Sequence, residues 1–269
     1  MKRALRWAVT VLALGIATLW LAPYAWMLAT SLKSLKEIAA HPTSFVPREP
    51  TLRAYAEVFA AIPVARELLI TVVMASLIAL LQIALALPAG YALAKLHFVG
   101  KRTAFVLVLA CLLVPSQVTF VPVFLLFAKT GAVNTMVALV TPFAVSALGT
   151  FLVRQALMSV PDELIEAARM DGASEVTVVY RILGPLLRPT LVSLFLVSFV
   201  FHYNDYFWPL VMTTDESVRT LPLGIALLRE QGTGVRWHIV MAGNVLLSAP
   251  VLVLFALVQR QLVRAVAGK

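Results

Sequence analysis

Charged residues are scarce in this chain: Asp, Glu, Lys and Arg together make up 13% of its 269 residues. Soluble domains carry about 25%. Hydrophobic residues account for 61% of the sequence, and the mean hydropathy is +0.92. This composition excludes an ordinary soluble domain and predicts a protein built to lie in a lipid bilayer.

Cysteine and histidine are also rare. Cys111 is the single cysteine, so no disulfide can form within the chain, and its place in an apolar run predicts a buried thiol. The four histidines are far apart and have no metal-ligand spacing, so we predict no metal site. These histidines are His41, His97, His202 and His238.

Basic residues outnumber acidic residues 22 to 13, but they are scattered singly along the chain. A nucleic-acid-binding domain concentrates Lys and Arg on one face, so nucleic acid is not an expected partner. The chain also lacks a G-x-x-x-x-G-K-[ST] motif, because Gly100-Lys101 has no upstream glycine and is followed by Arg102. We therefore predict no cofactor on this chain, and any ATP must bind a separate polypeptide.

Six apolar runs are long enough to cross a membrane as helices. The first continues past Pro23 toward Leu28, which is too long for a cleaved signal peptide. The predicted fold is thus an all-α polytopic membrane protein with six transmembrane helices. They occupy residues 8–29, 68–94, 104–128, 135–156, 189–212 and 239–258.

The distribution of Lys and Arg predicts the orientation. The termini and the loops 95–102 and 154–188 carry thirteen of these residues, and the opposite side carries nine. By the positive-inside rule, both termini and the loop 154–188 are cytoplasmic. The proline-rich loop 30–67 faces outward, extended except for an amphipathic piece around Leu52–Phe59. The outward loop 213–238 has a mobile or tightly turned part at Gly232 and Gly234.

The polar loop 154–188 interrupts an otherwise apolar chain, and its pattern predicts two short helices. Ser159 has the form of an N-cap, Pro161 suits the first turn, and Gly172 ends the first helix near Asp171. The first helix should present one broad face, comprising Leu164, Ala167, Ala168 and Asp171. Ser174 should cap a second helix with an apolar face, comprising Val176, Val179, Tyr180 and Leu183. Gly184-Pro185 should break that helix.

Two interpretations of this loop are open. It could pack on its own helix bundle, as amphipathic loops commonly do. Alternatively, it could fit a groove on a soluble partner, because so small a motif cannot bury two apolar stripes by itself. The small residues Ala167, Ala168 and Gly172 suit close approach to such a partner.

Glu166-Ala167-Ala168, then Gly172, Ile182 and Pro185, resemble the EAA motif of permease subunits of binding-protein-dependent ABC importers. The resemblance implies the type I ABC importer permease fold and a cytoplasmic EAA coupling helix that docks into a cytoplasmic ATPase. The family usually ends this motif with I-x-L-P, whereas this chain has glycine at position 184.

The resemblance covers nearly the whole chain and favours the carbohydrate branch of the family, in particular the second permease of a heterodimeric pair. An aromatic Tyr203 stands where that branch commonly has Trp. The segments that carry this resemblance are WMLATSLK at 26–33, AGYALA at 89–94, PDEL at 161–164, NDYFWPL at 204–210 and QRQLVR at 259–264.

The resemblance implies a full set of partners and roles. The partners are a cytoplasmic ATPase homodimer, a companion permease, an extracytoplasmic solute-binding protein and the lipid bilayer of a bacterial or archaeal inner membrane. The implied solute is a sugar, with glycerol-3-phosphate as the alternative. Contact with the ATPase is expected within 161–185 from Glu166, Ala167, Ala168, Arg169, Asp171, Gly172, Ile182 and Pro185. The expected organisation is an N-terminal helix and external loop (1–67), a permease core (68–262) containing the coupling loop 157–188, and a tail (263–269).

Polar residues inside the fifth predicted span are a second candidate site. An unpaired charge within the hydrocarbon costs at least about 2.5–3.5 kcal/mol, so Asp205 must face a partner, a cavity or the interface. Tyr203, Asn204 and Asp205 are candidate lining groups of a translocation pathway. The alternative is structural, with Asp205 as a hydrogen-bonded cap that holds the helix to its neighbour. Gln82 and Gln117 are weaker candidates.

Two rival functions are weaker. An intramembrane enzyme would need a nucleophile with a base, and His202 and Asp205 have no such nucleophile beside them. A secondary transporter would need ion ligands on several spans, and only the span with Asp205 carries an acid. Neither rival explains the charged loop 154–188.

Overall fold

The computed structural model describes residues 2–229 and 236–266, and the regular elements within them are all helices. The all-α prediction is therefore confirmed. The predictions for Gly232, Gly234 and the last three residues of the 263–269 tail lie outside the described residues, as does the side chain of Gln117. The first eight helices are α1 (Lys2–Ser31), α2 (Leu35–Ala40), α3 (Arg53–Ala61), α4 (Val64–Lys95), α5 (Lys101–Cys111), α6 (Ser116–Lys129), α7 (Met136–Val140) and α8 (Ala147–Met158).

The second half of the chain is more broken. A 3₁₀ turn (Thr141–Phe143) joins α7 to α8, and a π-helix (Val178–Leu183) lies between α10 and α11. The remaining helices are α9 (Asp162–Met170), α10 (Glu175–Thr177), α11 (Gly184–Leu186), α12 (Arg188–Tyr203), α13 (Phe207–Met212), α14 (Leu221–Leu227) and α15 (Trp237–Val266).

Three of the described helices are individually long and apolar enough to cross a membrane: α1, α4 and α15. Two further pairs of consecutive helices are long and apolar enough only when each pair is taken together. The helices of these pairs are bent against each other by 43° and 84°, so the number of spans is at most five. The predicted span 104–128 is divided between α5 and α6, because Pro115 disfavours a helical conformation in the residue before it. Cys111 is exposed at the end of α5, so the expectation of a buried thiol was wrong. The count of six crossings stays a prediction.

The chain forms two compact units. The smaller unit comprises residues 1–68 and 221–253. In it, Ala54, Val58 and Ile62 follow one another at four-residue intervals and are buried. They confirm the predicted amphipathic piece of the loop 30–67 as α3. The sequence did not predict α2, which begins after Ser34 with its hydroxyl accepting a hydrogen bond from Glu37 N.

The larger unit comprises residues 69–220 and 254–269 and has two apolar clusters. One cluster joins α4 to α7 and α13 through Met74, Ile78, Leu139, Trp208 and Met212. The other joins the opposite end of α4 to α8, α9 and the π-helix. It comprises Ala86, Leu87, Tyr91, Val153, Leu157, Val160, Ile165, Ala168, Val178, Val179, Leu183, Leu187 and Leu194.

Candidate functional site

The predicted coupling loop begins with a helix whose start differs from the prediction. Ser159 is the C-cap of α8, and its hydroxyl donates to the Ala156 carbonyl at 2.8 Å. Pro161 is the residue before α9, and the helix begins at Asp162. The N-cap prediction for Ser159 was therefore wrong, because the preceding helix runs directly up to it and uses its hydroxyl first.

The end of α9 agrees with the prediction. Gly172 has φ +83°, a region that only glycine enters without steric cost. Its N–H donates to Arg169 O, and the next N–H, of Ala173, donates to Ala168 O, each at 3.0 Å. This pair of bonds is a Schellman motif, which turns the chain and satisfies the last carbonyls of the helix.

The second helical segment differs from the prediction in its length and register. Ser174 caps it as expected, accepting from Thr177 N. The helix then widens into the π-helix, in which Gly184 N donates to Val179 O five residues back. Pro185 lies in the first turn of α11, where its missing N–H costs little, so Gly184-Pro185 does not break the helix. The change of direction comes at Leu187, with an 84° bend.

One face of the loop packs on its own bundle. Ile165 and Ala168 of α9 and Leu183 of the π-helix lie in the second apolar cluster. Neither predicted face is uniform: Ala168, Val179 and Leu183 are buried, whereas Leu164, Ala167, Val176 and Tyr180 are exposed. The π-helix shifts the register of the second segment, which buries Val178 instead of Val176. The loop thus buries part of its apolar surface and leaves several apolar side chains exposed.

Three exposed side chains of the loop are apolar, although many of their neighbours are charged. Met170 is 89% exposed, Val176 is 68% exposed and Leu164 is 41% exposed. The neighbouring side chains of α9 include Asp162, Glu163, Glu166 and Arg169. Exposed apolar side chains in a polar loop are candidates for a contact with another protein.

A three-membered polar contact fixes the loop to α4. The Tyr91 hydroxyl donates to Glu175 Oε2 at 2.6 Å and accepts from Arg169 Nη2 at 2.9 Å. Arg169 Nε also donates to Glu175 Oε1 at 2.9 Å. Since Tyr91 belongs to α4 and the two charged residues stand on opposite sides of the Gly172 turn, the contact holds both arms of the turn at once.

Basic side chains donate hydrogen bonds to the backbone carbonyls at and near the C-terminal end of α4. Arg154 Nε donates to Leu93 O at 3.2 Å, and Lys101 Nζ donates to Ala94 O and Leu96 O. Lys95 Nζ reaches Val160 O and Asp162 Oδ1, at 2.6 and 2.5 Å. Positive charge is favourable at a helix C-terminus, so these contacts stabilise α4 and attach α8 and α9 to it. The ion pair with Lys95 lowers the pKa of Asp162.

We expect the loop to loosen in acid. The Tyr91 hydroxyl, and then Arg169, hold the pKa of Glu175 below its ordinary value. A carboxylate with a lowered pKa stabilises the folded loop at neutral pH, and this contribution is lost as the pH falls through the lowered value. In Tyr91→Phe, hydrogen exchange at 162–177 should be about two- to tenfold faster at pH 7 and should change less with acid.

Tyr180→Phe is the matched control for this prediction. The Tyr180 hydroxyl donates to Ala84 O at 2.8 Å and contacts no ionisable group in the hydrogen bonds described. Its loss should speed exchange by the same factor at every pH. Equal acid sensitivity in Tyr91→Phe and the unmodified chain would contradict the role of Glu175.

The residues expected to meet the ATPase are mostly at the surface of the loop. Glu166, Ala167, Arg169, Asp171, Gly172 and Pro185 are exposed. Ile182 is half-buried and Ala168 is buried. The structure thus brings the predicted set together on one loop, and it places Ala168 in the internal core.

The second candidate site lies at a break between helices and not inside one. α12 ends at Tyr203, and α13 begins at Phe207. Asp205 Oδ1 accepts from Trp208 N at 3.2 Å, so the carboxylate caps α13. Asn204 is exposed and donates from Nδ2 to Val200 O at 2.8 Å. Tyr203 is fully buried, with its ring 5.5 Å from that of Phe199.

A buried polar contact lies next to this break and involves the last turn of α12. Gln82 Nε2 donates to Phe143 O at 2.9 Å and lies 3.4 Å from His202 Nε2. The Phe143 ring packs against both the His202 and Trp208 rings, at 4.8 and 5.3 Å. His202 is 5% exposed and is part of the core.

Sequence reasoning missed one buried acid. Glu67 lies in the first turn of α4 and is fully buried in the smaller unit. Its carboxylate fills the space beside Gly224, where an added Cβ would lie 1.9 Å from Oε2. The statement that only one span carries an acid was therefore wrong. The missed signal is an acid within the first turn of an apolar helix.

Comparisons with known proteins agree with this geometry. Residues 82–268 match the model of the family described as binding-protein-dependent transport system inner membrane component. The chain is 32% identical over 262 residues to the sn-glycerol-3-phosphate transport system permease protein UgpE of Escherichia coli O1:K1, covering 95% of this chain and 93% of that protein. It is 36% identical over 171 residues to the arabinooligosaccharides transport system permease protein AraQ of Halalkalibacterium halodurans, covering 64% of this chain and 61% of AraQ.

A solved structure has the same fold. It is a bacterial ABC transporter involved in the import of the acidic polysaccharide alginate, and one of its chains superposes with a TM-score of 0.83. The match covers 97% of each chain at 21% sequence identity, which shows that the two chains share a fold. With the family match covering most of the sequence, the chain belongs to the binding-protein-dependent transport system inner membrane components.

Proposed function

We propose that this chain is one of two permease subunits of an ATP-driven importer for a sugar. The observation that carries the proposal is the loop 161–185, which is fixed to α4 and exposes the apolar side chains of Leu164, Met170 and Val176. The chain has no nucleotide-binding motif, so we assign the ATP to a partner that binds these side chains.

The partner that binds these side chains is a cytoplasmic ATPase homodimer that carries the ATP. Leu164, Met170 and Val176 insert into its groove, and the exposed Glu166 supplies a polar contact at the rim. Because the contact of Tyr91 with Arg169 and Glu175 fixes the loop to α4, a displacement of the loop moves that helix as well. The loop thus transmits the motion of the ATPase into the membrane.

The translocation pathway passes the break between α12 and α13. Asn204 and Asp205 line it, and the buried Tyr203 supports them from behind. A helix break frees polar backbone groups, which are tolerated at membrane depth where they border a cavity. The companion permease forms the other wall, and an extracytoplasmic binding protein delivers the solute.

The solute class is proposed from the relatives. One relative is named for arabinooligosaccharides, and another, matched over nearly its full length, is named for sn-glycerol-3-phosphate. A sugar is the first candidate and glycerol-3-phosphate the second. We place both termini and the loop in the cytoplasm of a bacterial or archaeal cell, as the distribution of Lys and Arg indicates.

The test is reconstituted uptake. The chain is co-purified with the permease, ATPase and binding protein encoded beside it and placed in liposomes that contain ATP. We expect uptake of a radiolabelled sugar to require all four proteins and ATP. Uptake by this chain alone, driven by a proton or sodium gradient, would refute the proposal. Uptake of glycerol-3-phosphate alone would select the second solute class.

Substitutions at Asp205 separate the pathway role from the capping role. Asp205→Asn keeps an oxygen that can cap α13 but removes the charge, whereas Asp205→Leu removes both. We expect Asp205→Leu to reduce transport more than membrane insertion, with a cap loss of about 0.5–2 kcal/mol. If transport falls equally in both variants, transport depends on the charge of Asp205. Poor expression of Asp205→Leu alone would leave capping as the only role of this side chain.

A further inference from the structure

We propose that the groove beside the bend at Leu187 binds an anionic phospholipid of the surrounding bilayer, with an acyl chain in the groove and the headgroup phosphate at Arg188. The groove has a volume of about 260 Å³. Ile83 of α4 forms one wall, and Leu191 and Phe195 of α12 form the other. Gly184 and Pro185 form its end.

The lining is suited to hydrocarbon. Arg188 is the single charged residue that borders the groove, and the other lining side chains are apolar or absent. Ile83, Leu191 and Phe195 are half-buried, so the groove is open at the side of the helix bundle. From Arg188 to Phe195 it extends seven residues along α12, or roughly 10 Å at 1.5 Å per residue.

On the proposed topology, the groove lies where the chain enters the membrane from the cytoplasm. The segment 175–186 runs nearly perpendicular to α12 because of the 84° bend, and α12 then continues as an apolar helix. Arg188 is the first residue of α12 and is exposed, and the proposed topology places this end of the helix at the cytoplasmic lipid headgroups. Basic pockets between membrane helices on the cytoplasmic side are suited to anionic headgroups.

Arg188 has no internal structural role in the described part of the chain, where its side chain forms no hydrogen bond or ion pair. A cation in the first turn is also opposed by the helix dipole, so this arginine does not stabilise α12. An anion from outside the chain supplies the counter-charge that the Arg188 guanidinium lacks. A phospholipid meets both requirements, because its phosphate pairs with Arg188 and its acyl chain fills the apolar groove.

Gly184 keeps the groove open. An added Cβ at this position would meet only Val179 O, at 3.6 Å, which is an ordinary contact. A larger side chain would therefore be tolerated by the backbone and would extend into the groove. The leucine that the family motif usually carries at this position would fill part of it, so the site depends on the glycine in this chain.

Native mass spectrometry of the full-length chain in mild detergent tests the proposal. Phosphatidylglycerol and phosphatidylcholine with identical acyl chains are added separately. We expect phosphatidylglycerol to bind about fivefold more tightly, the effect of one basic residue on one anionic headgroup. Arg188→Gln should reduce phosphatidylglycerol binding to the level of phosphatidylcholine. Gly184→Leu should reduce the binding of both lipids about tenfold or more.

Two control variants keep the proposal falsifiable. Arg181→Gln removes an exposed cation that does not line the groove and should leave binding unchanged. Val192→Phe fills the groove from α12 and serves if Gly184→Leu is not recovered as a monodisperse protein. Equal binding of the two lipids, or an equal loss in Arg181→Gln and Arg188→Gln, would overturn the proposal. So would loss of the bound lipid when a companion permease is co-purified, which would make the groove a subunit interface.

Discussion

Gly172→Val is expected to disconnect the subunit from its ATPase while leaving it inserted in the membrane. Gly172 has φ +83°, and a β-branched side chain is strongly disfavoured there. The left-handed conformation costs about 1–2 kcal/mol for an ordinary residue, which corresponds to about a five- to thirtyfold change in population. Recovery of the ATPase in a pull-down, and transport, should fall by at least that factor, since the Schellman turn sets the angle between the two arms of the loop.

The chain offers a matched control. Gly131 also has positive φ, +67°, and an added Cβ there also meets nothing within 4 Å. Gly131 lies in the loop 129–134, which the proposed topology places outside the cell. Gly131→Val should therefore impose a similar backbone strain and leave ATPase recovery unchanged.

A second variant separates conformation from packing. Asparagine tolerates the left-handed region better than other residues that have a Cβ, so Gly172→Asn should restore much of the ATPase recovery. Because no atom lies within 4 Å of the added Cβ, no internal clash accounts for a loss in Gly172→Val. Normal recovery and normal transport in Gly172→Val would refute the docking role of the loop.

The turn at Gly172 could be predicted because its cause is local. A glycine that follows a helical pattern and precedes a serine cap requires only near neighbours, and the structure has the turn at that position. The all-α fold followed equally from composition and apolar runs. These features depend on single residues or on periods of a few residues, which a sequence displays directly.

The π-helix and the cap at Ser159 were predicted wrongly because the sequence permits two local structures at each place. Val178–Leu183 has an apolar pattern that suits an α-helix, but burial against α4 and α8 shifts it by one residue into a wider turn. Ser159 could cap the helix before it or the helix after it, and the preceding helix uses it. Tertiary packing decided the first case, and no window of sequence contains that packing. The second case is local, but the sequence permits either cap.

The polar contacts that hold the two candidate sites in place could not be predicted for a different reason. Tyr91 and Arg169 are 78 residues apart, and Gln82 and His202 are 120 apart. Each residue taken alone resembles an interface aromatic or an isolated polar group. Only the folded chain places each beside its partner. Glu67 was missed because it lies at the edge of a span, where a carboxylate is usually assigned to the loop.

Gly90→Ala is expected to have the second large effect, on the framework that holds the loop. An added Cβ at Gly90 would lie 2.6 Å from Val153 Cγ1 and 3.0 Å from Arg154 N. Valine is stiff, and the second contact is with backbone, so α4 and α8 must move apart. Overpacking of this kind costs about 1–3 kcal/mol. This loss of stability is measured as a lower melting temperature of the purified subunit.

The consequences extend beyond stability because Gly90 lies between two anchors. Tyr91, the next residue, holds Arg169 and Glu175, while Arg154 on α8 donates to Leu93 O. Separation of the two helices should weaken both contacts and speed hydrogen exchange across 162–177. Gly184→Ala is the control, since its added Cβ makes only an ordinary contact at 3.6 Å, and it should change neither quantity.

A double variant tests whether the close approach of the helices is the cause. Val153→Ala removes the atom nearest to the new Cβ but leaves Val153 Cβ at 2.9 Å and the Arg154 backbone in place. Gly90→Ala with Val153→Ala should therefore recover part of the lost melting temperature, although Val153→Ala alone creates a cavity and destabilises. Destabilisations that simply add would show that the two sites do not interact. The proposed close packing of α4 on α8 would then not be what fixes the coupling loop.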